Sequence, residues 1–500
     1  MWFGFAQPIS ESVSKGEGLL RGAACGKRSG SEMSLSTFTR SVRIERPAAE
    51  VFAWHERPGA FTRLAPPWQT VQVLDSSGGI RDGARVSLRT KIGPVWTRWD
   101  VEHRDYVEGV QFRDVQVRGP FAHWEHLHRV EPVDAGRACL LTDEITYRLP
   151  FGAAGRVFGG GFARRELERL FNYRHALTKA DVELANRYIS VRSMTFLIAG
   201  ASGLVGTALT AFLQTQGHTV IRLVRRATRA SNEVFWDPSD GRLDPHALRG
   251  VDVVINLSGV GVADGRWTEE RKQAILRSRV DSTRALVSAI AAVKSERLRP
   301  FALISASATG FYGTRGDDVL AESAPVGSGF LADVCRAWEA EAEKAVELGV
   351  RVVRLRTGVV LSPAGGALAK LLPVFKAGVG GRLASGEMWM SWISLDDLVG
   401  AIYHAVLDWR CDGAVNMVAP HPVTNAEFTR ALGRVLGRPT VLPVPAFVLK
   451  TVFGEMADET LLASTRVVPT RLEEAGYAFR HENVEDALRA GLGRAPSADS

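Results

Sequence analysis

Hydrophobic and polar positions change rhythm partway along this chain, and the change divides it. Between residues 36 and 187, apolar side chains recur at every second position over 38–44, 85–92, 95–101, 110–117, 123–130 and 138–148, the alternation of half-buried strands. A short helix is predicted from Pro47, and the segment closes on 162–177, where Leu167, Leu170, Phe171 and Leu177 share one helical face. One antiparallel sheet with a short helical insertion and a long terminal helix is the expected result. From Met194 onward, continuous apolar runs of strand length (195–199, 218–224, 251–257, 301–305, 350–355) alternate with helical stretches (204–217, 267–292, 330–348). That order predicts a parallel, doubly wound α/β sheet. After about residue 415 the rhythm changes again: Thr424-Asn-Ala-Glu427 reads as a capping box, and a proline-punctuated stretch leads to an apolar helix over 446–453. The expected organisation is an N-terminal extension at 1–35, an α+β domain at 36–187, a Rossmann-type domain at 194–420 and a small α/β lobe at 421–494 that closes over the crevice.

Composition narrows this picture. Of 500 residues, 45% are hydrophobic and 23% charged, a balance that supports several packed cores. No apolar run approaches the roughly 20 residues that cross a bilayer. The opening segment, Ser/Gly-rich with Lys27-Arg28, lacks the apolar core of a secretory signal and is expected to be disordered, with Met33 a candidate start. Cys25, Cys139, Cys335 and Cys411 lie far apart with no C-x-x-C pair, so neither a disulfide framework nor a cysteine zinc site is expected; a reducing cytoplasm fits. The net charge of +7 is scattered among acids and not gathered into a block with aromatics, which argues against nucleic acid as a partner. Trp124-Glu-His126-Leu-His128 puts two imidazoles on one strand face, with His123 on the other, but no third ligand is legible. Cavity-lining or hydrogen-bonded histidines are expected there, and no metal.

The sharpest chemical signal is Gly200-Ala-Ser202-Gly203-Leu204-Val205-Gly206, directly after the apolar run 195–199. A strand must end there and a helix begin. Glycine permits positive φ and close backbone approach, so a pyrophosphate can sit on free N–H groups at the positive end of the helix. An NAD-preferring site would carry an acidic residue about 20 positions further on. Arg225-Arg226 stands there instead, and no Asp or Glu occurs from Ala201 to Asn232. Two guanidiniums suit a 2′-phosphate, so NADP (NADPH) is the expected cofactor.

The G-x-x-G-x-x-G spacing is similar to that of short-chain dehydrogenases. Together with Asn256-Leu257-Ser258-Gly259, Arg266-Trp-Thr-Glu-Glu-Arg-Lys, Ala308-Thr-Gly-Phe-Tyr312-Gly and Trp338-Glu339, it closely resembles the atypical, epimerase-like (YfcH-like) short-chain dehydrogenase/reductase group over about 194–494, including a C-terminal domain of the DUF1731 type. The segment in front resembles the SRPBCC, START-like helix-grip fold, whose sheet wraps its last helix around an apolar cavity. The resemblance implies a cofactor lining of Gly200, Ser202, Gly203, Leu204, Val205, Gly206, Arg225, Arg226, Asn256, Leu257, Ser258, Gly259, Ser305, Arg356 and Thr357. It also implies a departure. Where those dehydrogenases place a proton-transferring tyrosine and, four residues on, a lysine, this chain has Cys335 and Glu339. Ser307, Tyr312 and Glu339 are the residues left as catalytic candidates. An NADP-binding oxidoreductase or epimerase-like enzyme acting on a small molecule is expected, with an apolar ligand in the helix-grip domain. A non-catalytic NADP(H)-dependent ligand or redox sensor is the alternative, and a scaffold whose crevice holds a protein partner is a third.

Overall fold

The computed structural model describes residues 35–92, 95–188, 192–293 and 300–495. The N-terminal extension expected at 1–35 lies outside them except for its last residue, as does part of the connection at 189–191.

Seven antiparallel strands form the first sheet: β1 (Ser36–Ile44), β2 (Val71–Ser76), β3 (Arg85–Ile92), β4 (Val95–Val107), β5 (Gln111–Arg118), β6 (His123–Val133) and β7 (Ala138–Arg148), in the order β1-β7-β6-β5-β4-β3-β2. Two short helices, α1 (Ala48–Glu56) and α2 (Ala60–Leu64), follow β1, and the long α3 (Gly152–Asn186) follows β7. Phe38, Trp124, Ile145 and Tyr147 of the sheet pack with Leu167 and Phe171 of α3. Two expectations need correction. Strand β2 carries no clear alternation in Val-Gln-Val-Leu-Asp-Ser, because it is an edge strand and mostly exposed. Helix α3 starts ten residues before the predicted point and runs through Gly159-Gly160-Gly161 despite glycine's low helical propensity.

The second sheet has eight strands: β8 (Thr195–Ala199), β9 (Thr219–Val224), β10 (Glu233–Asp237), β11 (Arg242–Leu243), β12 (Val253–Asn256), β13 (Ala302–Ala308), β14 (Arg351–Thr357) and β15 (Gly413–Met417). Their order is β11-β10-β9-β8-β12-β13-β14-β15, parallel throughout except that β11 runs antiparallel to β10. Helix α4 (Leu204–Thr215) crosses from β8 to β9, α5 (Glu269–Val293) from β12 to β13, and α6 (Phe330–Glu343) precedes β14. Alternate residues of β8 serve the two faces. Phe196 and Ile198 pack with Leu209 and Phe212 of α4, whereas Leu197 and Ala199 pack with Leu286 and Ile290 of α5. Strand order reverses between β8 and β12, and in open α/β sheets that switch point is where ligands bind.

The C-terminal lobe is not a continuous segment. Helix α7 (Gly366–Lys376) contributes Leu368, Leu372 and Phe375 to one core with Phe428 and Leu432 of α9 (Asn425–Leu436) and Leu488 of the helix Val484–Gly491; α8 (Leu395–Leu407) lies between in sequence. The capping box at Thr424 and Glu427 forms as expected. Among the described residues no helix is long and apolar enough to cross a membrane.

The two sheets are joined by a buried charge network. Arg63 of α2 donates Nε and Nη2 to Asp181 of α3 at 2.8 and 2.9 Å, and Nη1 to Asp396 of α8 at 2.6 Å. Arg480 donates to the same Asp181 at 2.7 Å. Asp181 is completely buried. Nearby, Gly59 sits so close to α4 that a Cβ on it would stand 2.5 Å from the Ala211 carbonyl oxygen.

Removing one member of such a network strands a buried charge, so Asp181→Asn is expected to lower stability by about 3–5 kcal/mol in a denaturant melt; an unchanged midpoint would refute this. A second expectation concerns His218, whose Nδ1 accepts from the Met194 amide at 3.2 Å while Nε2 meets Tyr403 Oη at 2.9 Å. Burial, helped by the Arg57 charge, pushes its imidazole down to about 4. The folded state therefore disfavours its protonation. This contribution is complete above pH ~6.5 and is lost as pH falls toward 4, reaching about 2 kcal/mol by pH 5. Thermal midpoints measured from pH 7 to 5 should fall more steeply for the wild type than for His218→Asn.

Candidate functional site

The glycine turn divides its three glycines by task. Gly200, at φ +80°, ends β8 under the loop after β12, where a Cβ would lie 2.7 Å from the Leu257 carbonyl group. Gly206, in the first turn of α4, would bring a Cβ to 2.2 Å from the Gly200 oxygen. Both positions are closed by backbone, so only glycine fits. Gly203 differs. The nearest atom to a Cβ there is the Gly200 oxygen at 3.4 Å; Gly203 and Ser202 are exposed, and Gly203 caps α4 without a side-chain hydrogen bond. The first-turn amides of Leu204, Val205 and Gly206 thus have no capping side chain, as an anion cradle requires.

The loop after β12 presents backbone to the turn. Asn256 is completely buried, donates Nδ2 to Ser282 Oγ (3.3 Å) and Thr283 Oγ1 (3.0 Å) of α5, and accepts the Ser258 amide at 3.1 Å. Its side chain shapes Leu257-Ser258-Gly259 and does not reach the crevice, which corrects its expected role as a direct contact.

At the end of β9 the two arginines part company. Arg226 forks onto Glu233, Nη1 to Oε2 at 2.9 Å and Nη2 to Oε1 at 2.7 Å, and Arg222 and the Arg229 amide reach the same carboxylate. These hydrogen bonds pull the Glu233 carboxyl down to about 2. The acid-free stretch of sequence ends one residue before Glu233, and parallel pairing of β10 with β9 brings that carboxylate back beside the arginines. Arg225 is exposed and, among the described residues, makes no hydrogen bond or ion pair.

The catalytic candidates meet, but in a closed arrangement. Ser307, at the end of β13, donates Oγ to Glu339 Oε1 at 2.7 Å. Arg356 of β14 grips the same carboxylate through Nε and Nη2, both at 2.9 Å, and donates Nη1 to Tyr312 Oη at 3.0 Å and to the Glu322 carbonyl at 3.1 Å. Tyr312 has no exposed surface and gives its hydroxyl proton to Asn416 Oδ1 at 2.7 Å. Two expectations change. Tyr312 is a structural hydroxyl, sealed in the core, and the Arg356 guanidinium is spent inside the protein instead of on a cofactor. The charge of Glu339 is balanced by Arg356, so it does not stand bare against a phosphate-rich ligand. Ser305 is buried with its hydroxyl on the Ala306 carbonyl at 3.4 Å, and half-buried Thr357 donates to the Leu355 carbonyl at 3.2 Å. Cys335, one turn from Glu339, is buried, and burial with the Glu339 charge pushes its thiol up to about 11. It packs as a small buried side chain. Asn416 was missed because it lies 104 residues from the tyrosine it serves.

A cavity of about 500 Å³ opens between the first sheet and its helices, walled by apolar residues that include Val86, Leu88, Trp99 and Phe112. Its floor is polar. His126 and His128 of β6 stand between Asp114 of β5 and Asp143 of β7, with His103 of β4 and His175 of α3 behind them. The alternation showed the histidine pair but not its carboxylates, although an acid at an inward position of an apolar alternation (Phe112, Asp114; Leu141, Asp143, Ile145) is the signal that marks them.

Three family descriptions match the chain: "Polyketide cyclase / dehydrase and lipid transport" over residues 36–183, "NAD dependent epimerase/dehydratase family" over 196–416, and "Domain of unknown function (DUF1731)" over 444–490. An epimerase family protein of Mycobacterium bovis is 48% identical over 291 residues, 58% of this chain and 95% of the relative. The crystal structure of a nucleoside-diphosphate sugar epimerase from Corynebacterium glutamicum covers 92% of this chain and 91% of its own at 33% identity, with a TM-score of 0.74. The human epimerase family protein SDR39U1, solved with NADPH, covers 60% of this chain and 99% of its own at 31% identity, with a TM-score of 0.54. On the glycine turn, the sheet order and these relatives together, the chain belongs to the epimerase family, as a member in which the Rossmann fold follows a helix-grip domain.

Proposed function

We propose that this protein is an NADPH-binding enzyme of the epimerase-like short-chain dehydrogenase type, catalysing oxidoreduction or epimerisation of a small molecule, and that its helix-grip cavity holds an apolar ligand. The observation that carries this reading is the pairing of an uncapped α4 amide cradle at an open Gly203 with Arg225, a cation without a partner among the described residues, at the end of the adjacent strand. Gly200 to Gly206 with the backbone of Leu257 to Gly259 would hold the pyrophosphate and ribose, and Arg225 the 2′-phosphate; Arg226, braced by Glu233, stiffens the loop that carries it. A bound nicotinamide supplies hydride exchange. Ser307 sits on the same carboxyl edge of the sheet as the glycine turn, and its oxygen, with its own proton given to Glu339, is placed to accept a hydrogen bond from a reacting substrate hydroxyl. Arg356 positions Glu339 and touches no ligand in this scheme. The NADPH in the human relative's structure supports the choice of cofactor.

A second reading, a ligand sensor, is favoured by one contact. The turn Arg57-Pro58-Gly59-Ala60 lines the cavity and also presses on α4, through Gly59 against Ala211 and through Arg57 Nη1 on the Thr215 carbonyl at 2.8 Å. One element thus borders both sites.

Equilibrium titration with NADPH and NADH tests the cofactor assignment. A charge-assisted contact of about 1.5–3 kcal/mol predicts an NADPH preference on the order of 10–100-fold that Arg225→Asp abolishes while Arg226→Gln retains most of it; equal affinity of the wild type for both cofactors would refute it. For the sensor reading, the uncharged dye N-phenyl-1-naphthylamine should bind the cavity with an affinity that NADPH changes, and the dye should change NADPH affinity by the same factor. Independent binding leaves the enzyme reading alone.

A further inference from the structure

The polar floor of the helix-grip cavity has the layout of a metal site. The register of three neighbouring strands creates it: Asp114 of β5 pairs with His126 of β6, and His128, two residues on and on the same face, pairs with Asp143 of β7. His126 Nδ1 and His128 Nε2 both point at Asp114 Oδ2, from 3.7 and 3.3 Å, and one ligand atom from each of the three residues lies within 4.8 Å of the others. Two ligands at about 2.0–2.1 Å from a shared ion in tetrahedral geometry are about 3.4 Å apart, so little movement is needed to admit one. The opposite ring nitrogens are held in common. His126 Nε2 and His128 Nδ1 both meet Asp143 Oδ1 at 2.7 Å, and His175 from α3 holds its other oxygen at 2.5 Å. A carboxylate behind each imidazole is the arrangement that orients metal-binding histidines and raises their basicity. Ring packing adds to it: Phe112 stacks on His128 at 4.2 Å, and Phe171 meets His126 edge-on at 5.1 Å.

A purely structural role accounts less well for Asp114. Its Oδ1 is buried without a hydrogen bond, with His103 Nε2 as an ion-pair neighbour 3.2 Å away. Such an oxygen is costly unless something coordinates it. Asp114, His126 and His128 all line the cavity, so coordination positions not taken by protein would face the ligand space.

We propose that the helix-grip domain binds one divalent transition-metal ion through His126 Nδ1, His128 Nε2 and the Asp114 carboxylate, with Asp143 as the positioning residue for both imidazoles. Two imidazoles and one carboxylate select zinc, iron(II) or cobalt(II) over magnesium and calcium, which prefer all-oxygen shells. The ion gives an otherwise apolar cavity a Lewis-acidic end, suited to a ligand with an apolar body and an oxygen or nitrogen head. This site is independent of the NADPH reading.

The test uses the full-length protein, stripped with a chelator and equilibrated with Zn²⁺ or Co²⁺. Elemental analysis should give one equivalent per chain, and Co²⁺ should develop visible absorption of a nitrogen/oxygen shell. His128→Ala and Asp114→Ala should abolish stoichiometric binding. Asp143→Asn should weaken it about 10–100-fold while saturation still reaches one equivalent. Circular dichroism and a cooperative thermal melt report that each variant is folded. X-ray absorption on the Zn²⁺-loaded wild type is the check that needs no variant, and it should show two imidazoles on the ion. Binding well below one equivalent, one equivalent that survives His128→Ala, or a shell without imidazole would each overturn the proposal.

Discussion

Asp181 holds the molecule together as one body. It is a fully buried carboxylate, and it is tolerable only because Arg63 and Arg480 converge on it, while Asp396, paired with Arg63, supplies the second negative charge. Desolvating four charges gains little net stability, but the geometry is unforgiving. Each hydrogen bond is directional, so α2, α3, α8 and the Arg480 segment can meet in only one way. That fixes the angle between the two folds, and with it the contact of the Arg57 to Ala60 turn with α4. Two folds that each own a core thereby behave as one structure, with the wall of the apolar cavity resting on the helix that opens at the glycine turn.

At the crevice a second buried cation takes over the organising role. Arg356 gathers Glu339, Tyr312 and the Glu322 carbonyl around one guanidinium, and Phe311 lies 3.5 Å beneath it. In ordinary short-chain dehydrogenases the corresponding helix is thought of in terms of tyrosine and lysine. Here it carries Cys335, buried and with a raised thiol pKa, and Glu339, neutralised from the next strand. The Ser307–Glu339 pair stands at the edge of the sheet where ligands of such folds lie, and it is on this pair that the proposed chemistry rests.

The two polar centres share a design. In each, a strand-end or strand-centre side chain is oriented by a buried partner from an adjacent strand or helix: Ser307 by Glu339 and Arg356, and the His126–His128 pair by Asp143 and His175. Rigid sheets place such groups more narrowly than loops do.

What the sequence determined by itself is local. The strand–turn–helix at Gly200 to Gly206, the alternating strands from Arg85 to Arg148 and the capping box at Thr424 all depend on residues within a few positions of one another, and short-range sterics and hydrogen bonding decide them. The expectation of NADP rested on a missing acid beside Arg225 and Arg226, and that reading treated the two arginines alike. Only pairing of β9 with β10 separates them, by delivering Glu233 to Arg226 and leaving Arg225 free of partners among the described residues. The same holds for Asp114 beside His126, for Arg356 on Glu339 and for Asp181 between two arginines, contacts that span from 12 to 299 residues. A buried charge takes its meaning from the partner that compensates it, and strand register and domain docking choose that partner, not spacing along the chain.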